Sequence, residues 1–321
     1  MRAVVLQGTV LFVSLTAACR GGARSTNDTA AVARGRIATP PPNANDGEWL
    51  LPGRDYANSR YSALSSITPE NAKNLHVAWT FSTGVLRGHE GQPLVVGNTM
   101  YLVTPYPNVA YAIDLTQPGF PLKWKYRPEN AQAAIGVACC DVVNRGAAFA
   151  NGKIVYNLLD GHTVGVDAAT GTELWKTKLA DVNRGETITM APIVVKNKVI
   201  VGSSGGEMGV RGWIAALDLD SGKLLWRAYN VGPDADMKVG ARFKPFYAHD
   251  RGANLGVSSW PGDSWKVGGA AVWGWLSYDP ASNLLYHGTS NPGPWNGNQR
   301  PGDNKWSAAI IARDPDTGEM I

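Results

Sequence analysis

Short apolar runs alternate with turn residues along most of the chain. Ile193-Val194-Val195 and Lys198-Val199-Ile200-Val201-Gly202 are rich in β-branched residues and are split by Lys196-Asn197. Trp213-Ile214-Ala215-Ala216-Leu217-Asp218 follows, then a Gly-containing turn and Leu224-Leu225-Trp226-Arg227. The spacing predicts four short strands joined by tight turns. The stretch before it repeats the order: Gly146-Ala147-Ala148-Phe149, Lys153-Ile154-Val155-Tyr156, Thr163-Val164-Gly165-Val166 and Leu174-Trp175-Lys176. Two units end in one phrase, Asp167-x-x-Thr170-Gly171-x-x-x-Trp175 and Asp218-x-x-Ser221-Gly222-x-x-x-Trp226. A degraded copy runs from Ala112-Ile113-Asp114 to Trp124, which precedes Trp175 by the same 51 residues that separate Trp175 from Trp226. A fourth copy begins at Asp314-Pro315-Asp316-Thr317-Gly318.

One four-stranded sheet has two faces and cannot bury both by itself. Sheets repeated at this period bury them by stacking around an axis. The predicted fold is therefore all-β, a β-propeller of four-stranded antiparallel blades, with about four blades in the chain. In the turn, Asp or Thr oxygens cap amides and Gly takes the positive-φ position. The tryptophan is expected to lie between blades with its N–H on a partner. The last repeat is stretched by two insertions, residues 228–265 and 292–306, and Trp273-Gly274-Trp275-Leu276-Ser277-Tyr278-Asp279 reads as an inner strand between them. Long structured insertions on a rigid scaffold often carry function. The chain stops at Ile321, one residue before the fourth copy's tryptophan is due. The expectation is a truncated N-terminal part of a larger propeller, an open arc with an unpaired edge.

Composition changes the picture mainly at the N-terminus. Arg2, the apolar run from Val4 to Leu15 and Thr16-Ala17-Ala18-Cys19 read as an export signal over residues 1–18. Residues 19–46, ending near Pro40-Pro41-Pro42, read as a flexible tether, and Cys19 is a candidate for lipidation and so for a membrane tether. The propeller occupies 47–321. The expected location is the periplasm. A formal net charge of +4 without a long basic run gives no reason to expect nucleic acid.

The vicinal pair Cys139-Cys140 is the oddest local feature. A disulfide between neighbours closes a small strained ring and crosslinks no distant parts. It would serve as a rigid, polarizable surface or a redox pair; two buried free thiols or a metal site are the alternatives. Glu207 sits in a Gly-rich stretch, Ser204-Gly205-Gly206-Glu207, where backbone can approach a ligand closely. It reads either as a hard-metal ligand or as an acid paired with Arg211. Asn291 could offer an amide oxygen to the same ion. No Walker motif, Ser/His/Asp arrangement or nucleotide-binding Gly-x-Gly-x-x-Gly is evident.

These stretches coincide in one family. Ala138-Cys139-Cys140-Asp141-Val142-Val143-Asn144-Arg145-Gly146, Thr189-Met190-Ala191-Pro192, residues 202–212, Trp273-Gly274-Trp275, Gly288-Thr289-Ser290-Asn291-Pro292 and Arg300-Pro301-Gly302-Asp303-Asn304-Lys305-Trp306 resemble the pyrroloquinoline-quinone-dependent alcohol dehydrogenases of the methanol/ethanol type. The resemblance implies an eight-bladed propeller that oxidises a primary alcohol to an aldehyde and passes electrons to cytochrome c. It implies a disulfide of Cys139 and Cys140 over one face of the quinone and Trp273 on the other. It assigns Arg145 to a cofactor carboxylate and Glu90, Thr189, Ser204, Gly205 and Gly206 to further cofactor contacts. Glu207 and Asn291 become ligands of Ca²⁺ or a lanthanide ion. Ala271 departs from the family, in which Thr is common there, and leaves one cofactor hydrogen bond without its donor.

The family's catalytic Asp falls beyond Ile321, and Asp303 is not assigned in its place. The chain alone is therefore expected to be inactive, and the full-length protein is a candidate homodimer. Two other classes fit the blades: a non-catalytic propeller scaffold lipoprotein, which has no use for the Cys pair, Glu207 or Asn291, and a quinoprotein dehydrogenase for a sugar or polyol.

Overall fold

The structure, a computed structural model, describes residues 47–321. The export, tether and Cys19 expectations fall outside these residues. Four antiparallel sheets follow one another along the chain. The first is β1 (Leu94–Val96), β2 (Thr99–Val103), β3 (Ala110–Asp114) and β4 (Leu122–Tyr126). The second is β5 (Ala147–Ala150), β6 (Lys153–Asn157), β7 (His162–Asp167) and β8 (Glu173–Lys178). The third is β9 (Ile193–Val195), β10 (Lys198–Gly202), β11 (Trp213–Asp218) and β12 (Leu224–Tyr229). The fourth has three strands, β13 (Leu276–Asp279), β14 (Leu284–Gly288) and β15 (Ile310–Arg313). First strands of successive sheets touch, β1 with β5, β5 with β9 and β9 with β13, so each first strand is innermost. The sheets are blades of a β-propeller. Trp273 and Trp275 precede β13 and are not in it, which corrects the strand expected from residue 273: Gly274 interrupts the run, and pairing with β14 begins at Leu276.

The tryptophans tie the blades together by one rule. Trp124 Nε1 donates to Ala168 O at 2.9 Å, Trp175 Nε1 to Leu219 O at 3.0 Å and Trp226 Nε1 to Pro315 O at 3.0 Å. Each acceptor follows the phrase's Asp in the next blade. The phrase's Gly is required for two reasons at once. Gly222 has φ +69, and a Cβ there would meet the Trp175 ring at 2.5 Å. Inside its own blade each tryptophan pairs with a small residue, Ala112, Gly165 or Ala216, which leaves room for the indole. Asp218 Oδ1 accepts from Ser221 N at 2.8 Å and Ser221 Oγ at 2.7 Å, and Asp167 does the same with Thr170. Those bonds outweigh burial and hold the Asp218 carboxyl below its ordinary value.

The centre is aliphatic: Ile154, Val155, Val164, Val199, Val201 and Ile214 are fully buried. The residue before the phrase's Asp is Ile113, Val166 or Leu217 in the first three blades, each fully buried. In the fourth it is Arg313, equally buried. Its Nε donates to His287 Nε2 at 3.1 Å, and its other nitrogens reach the carbonyls of Met237, Gly318 and Tyr229. A buried cation thus fastens the fourth blade to the third and to the insertion that follows β12. Burial, then the Arg313 charge, depresses His287 to about 3, so the imidazole stays neutral as the acceptor.

His287 adds a pH dependence whose sign is fixed. The unfolded chain takes up a proton below about 6.5, which the folded chain refuses until about pH 3. The contribution is complete above pH 6.5 and is lost progressively as the pH falls from there. Urea unfolding from pH 7 to pH 4 should show stability falling more steeply in wild type than in His287→Gln, which keeps an acceptor but no titration. Parallel pH profiles would refute this assignment.

Candidate functional site

Antiparallel pairing puts the start of a blade's first strand, the end of its second and the end of its fourth on one rim. The site residues occupy those positions. Glu90, Arg145, Thr189 and Trp273 each lie within four residues before β1, β5, β9 and β13 respectively. Ser204 to Glu207 follow β10, Asn291 follows β14, and Cys139-Cys140 lie in the crossover from β4 to β5. The two insertions leave from the same rim, one as the β12–β13 crossover and one between β14 and β15.

Arg145 is the hub. Its Nη2 lies 3.1 Å from Glu90 Oε2, its Nη1 donates to Thr189 Oγ1 at 2.8 Å, and its guanidinium stands 5.3 Å from the centroid of the Trp273 ring. Thr189 Oγ1 is 2.8 Å from Ser204 Oγ. Four successive blades therefore contribute to one polar network. The Trp273 indole is 46% exposed, so it offers a flat open surface beside that network.

Ser204 leads into a single 3-10 turn, Gly206–Met208, which carries Glu207. Gly205 starts the turn at φ +96, and a Cβ on it would lie 2.1 Å from Gly185 O, so only glycine fits. Arg211 does not pair with Glu207. It pairs with Asp236 at 2.8 Å, between the Tyr229 and Trp265 rings. The Cys139 thiol is pushed up to about 12 by its hydrogen bond with Cys140, then by burial and the nearby Glu207 charge.

The expected Cys139–Cys140 disulfide is not formed. Both residues are exposed thiols, with Sγ atoms 3.1 Å apart. Being adjacent in sequence brings the sulfurs close, but the bond requires a two-electron oxidation and an approach of about 1 Å more. Asn291 lies on the loop whose neighbour, Ser290, hydrogen-bonds Ala271. Ser290 was not among the residues expected from the sequence. A lone serine has no sequence signal; only its position between Ala271 and Asn291 marks it. Asp303 sits 3.5 Å from Lys305 Nζ within the second insertion.

The donors suit an anionic, flat ligand with a hard cation. Arg145 provides a fork for a carboxylate, and Trp273 a stacking face. Glu207 and Asn291 carry oxygen donors of the kind hard ions take. Among the described residues no group of three or more His, Cys, Asp or Glu could hold a metal ion by itself.

The family model for the PQQ glucose/ethanol/alcohol dehydrogenase β-propeller domain matches residues 49–321. The lanthanide-dependent methanol dehydrogenase of Methylacidiphilum fumariolicum (strain SolV) is 55% identical over 274 residues, covering 85% of this chain and 45% of the relative. Methanol dehydrogenase (cytochrome c) subunit 1 of Paracoccus denitrificans is 45% identical, covering 93% of this chain and 49% of the relative. Among solved structures, a europium-containing methanol dehydrogenase aligns with a TM-score of 0.84 at 55% identity, over 85% of this chain and 48% of that one. The chain thus spans about half the length of the relatives it matches.

Proposed function

The chain belongs to the PQQ-linked glucose/ethanol/alcohol dehydrogenase β-propeller family, and from that premise we propose that its blade rim holds pyrroloquinoline quinone and a calcium or lanthanide ion for the oxidation of a primary alcohol. The observation that carries this reading is the Arg145 network, which joins Arg145 of the second blade to Glu90 of the first, Thr189 and Ser204 of the third and Trp273 of the fourth on one rim beside the Glu207 turn.

When bound, the quinone supplies a two-electron acceptor and the cation withdraws density from its carbonyl. The chain's own residues prepare the place. Glu90 and Thr189 hold Arg145 from two sides, so its fork is oriented before a cofactor carboxylate arrives. Trp273 forms one wall and the Cys139-Cys140 pair the other. Glu207 and Asn291 supply oxygen donors to the cation. Glu90 is paired with Arg145, and Asp303 belongs to the second insertion, so neither is assigned as the base that takes the alcohol's proton. The acceptor fitting this chemistry is a cytochrome c, as the Paracoccus relative's name states for that protein. The export signal expected over residues 1–18 supports a periplasmic location.

Titration of the chain with the quinone and La³⁺, followed by tryptophan quenching and the quinone absorbance band, tests the reading. Wild type should bind, and Arg145→Ala should weaken quinone affinity by about tenfold to a hundredfold, the worth of a charge-assisted hydrogen-bonded pair. Equal affinities in the two proteins would remove Arg145 from the site. The absence of any binding by wild type would remove the quinone from this rim.

A further inference from the structure

Three loops of the site meet through the glycines Gly206, Gly269 and Gly293, whose backbones approach one another closely. Gly206 adjoins Glu207; a Cβ on it would lie 3.3 Å from Gly269 Cα, 3.5 Å from Ser290 Oγ and 3.7 Å from Ala271 Cβ. Gly293 lies two residues after Asn291; a Cβ there would meet Val267 O at 2.9 Å and Gly206 O at 3.0 Å. Gly269 lies between them at φ +67, where a Cβ would be 2.7 Å from Asn291 O and 2.8 Å from Gly293 N.

Hydrogen bonds lock this contact. Ser290 N donates to Ala271 O at 2.8 Å, Ala271 N to Ser290 Oγ at 2.9 Å, Ala270 N to Asn291 O at 3.2 Å and Gly293 N to Gly268 O at 3.0 Å. The segment carrying Asn291 is thus laddered onto the lead-in to Trp273, and the turn carrying Glu207 rests against both.

Resting on the functional reading above, we propose that this glycine junction sets the gap between the Glu207 and Asn291 donors and is the size-determining element of the cation site. Selectivity among hard ions follows cavity size, donor number and donor flexibility. Here the ladder fixes the Asn291 backbone against residues 268–271, and backbone-to-backbone contact sets its spacing from the Glu207 turn. A close-packed interior transmits an added methyl as a displacement and does not absorb it. A methyl at Gly293 presses on Gly206 O, one residue from Glu207, and so moves one donor-bearing loop away from the other. A small ion loses more from that widening than a large one, whereas general loosening weakens both alike.

The test uses La³⁺, the larger ion, and Lu³⁺, the smaller, as competitors of Tb³⁺ luminescence sensitised by tryptophan, in the quinone-loaded chain. Gly293→Ala should weaken Lu³⁺ by about tenfold and La³⁺ by less than about threefold. Gly206→Ala, whose nearest contact is looser, should shift the ratio in the same direction by less. Equal weakening of both ions, or an unchanged ratio, overturns the inference. Should Gly293→Ala lose its β circular-dichroism signal, Gly206→Ala decides by the same ratio. Failure of wild type to bind either ion overturns the functional reading itself, which keeps the two failures distinct.

Discussion

Trp175→Ala is expected to destabilise the chain by about 3–5 kcal/mol, the range for removing a buried large aromatic side chain. Trp175 is only 8% exposed. Its ring lies against Gly165 in its own blade and Gly222 in the next, and its Nε1 holds Leu219 O at 3.0 Å. Truncation opens a cavity along the blade interface and strips one buried carbonyl of its donor. The two glycines cannot fill the space. Leu174→Ala on the same strand, 46% exposed, should cost under about 1 kcal/mol and controls for strand propensity. Urea titrations monitored by circular dichroism would compare the midpoints at constant slope. A loss below about 1 kcal/mol for Trp175→Ala would show that the tryptophans do not couple the blades.

The second large effect concerns the ion. Glu207→Gln is expected to lower Tb³⁺ affinity by roughly a hundredfold or more, because even residues that only support a ligand are worth ten- to a hundredfold. Glu207 is the one carboxylate on the turn, and the charge of Arg211 is already taken by Asp236. The substitution therefore removes a charged donor without breaking an ion pair. Asn291→Ala should cost less, since it removes a neutral oxygen. Tryptophan-sensitised luminescence reads both. A Glu207→Gln protein that binds Tb³⁺ as tightly as wild type would place the ion elsewhere.

The fold was largely legible because its key contacts repeat. An Asp, a Gly and a Trp at fixed offsets reported a capped turn, a positive φ and an indole needing a partner, and each holds in the structure. The sequence could not show that the Gly and the Trp in contact belong to different blades. That pairing is long-range, and only the assembled propeller makes Gly222 the floor for Trp175.

Arg313 was invisible for a related reason. A charged residue at a core position of the repeat gives no hint that carbonyls from Met237, Gly318 and Tyr229 will surround it.

At the site, residue types were readable and partners were not. Arg145 and Trp273 are 128 positions apart in the sequence, yet the rim stacks one on the other. Arg211, four residues from Glu207, turns away to Asp236 because two aromatic rings enclose its guanidinium. The thiol state of Cys139 and Cys140 depends on oxidation, which no residue pattern encodes. Gly269 and Gly293 had no signal beyond composition, since what matters is the backbone they let approach.

The central claim is that one rim of this propeller gathers a flat cofactor and a hard cation. Crystals of the chain grown with pyrroloquinoline quinone and europium test it most directly, through an anomalous difference map at the europium edge. The account predicts one strong peak touching the Glu207 carboxylate and the Asn291 amide oxygen. Planar density should lie between Trp273 and the Cys139-Cys140 pair, with a carboxylate on Arg145. A europium peak away from Glu207, or quinone density that leaves Trp273 uncovered, would contradict it.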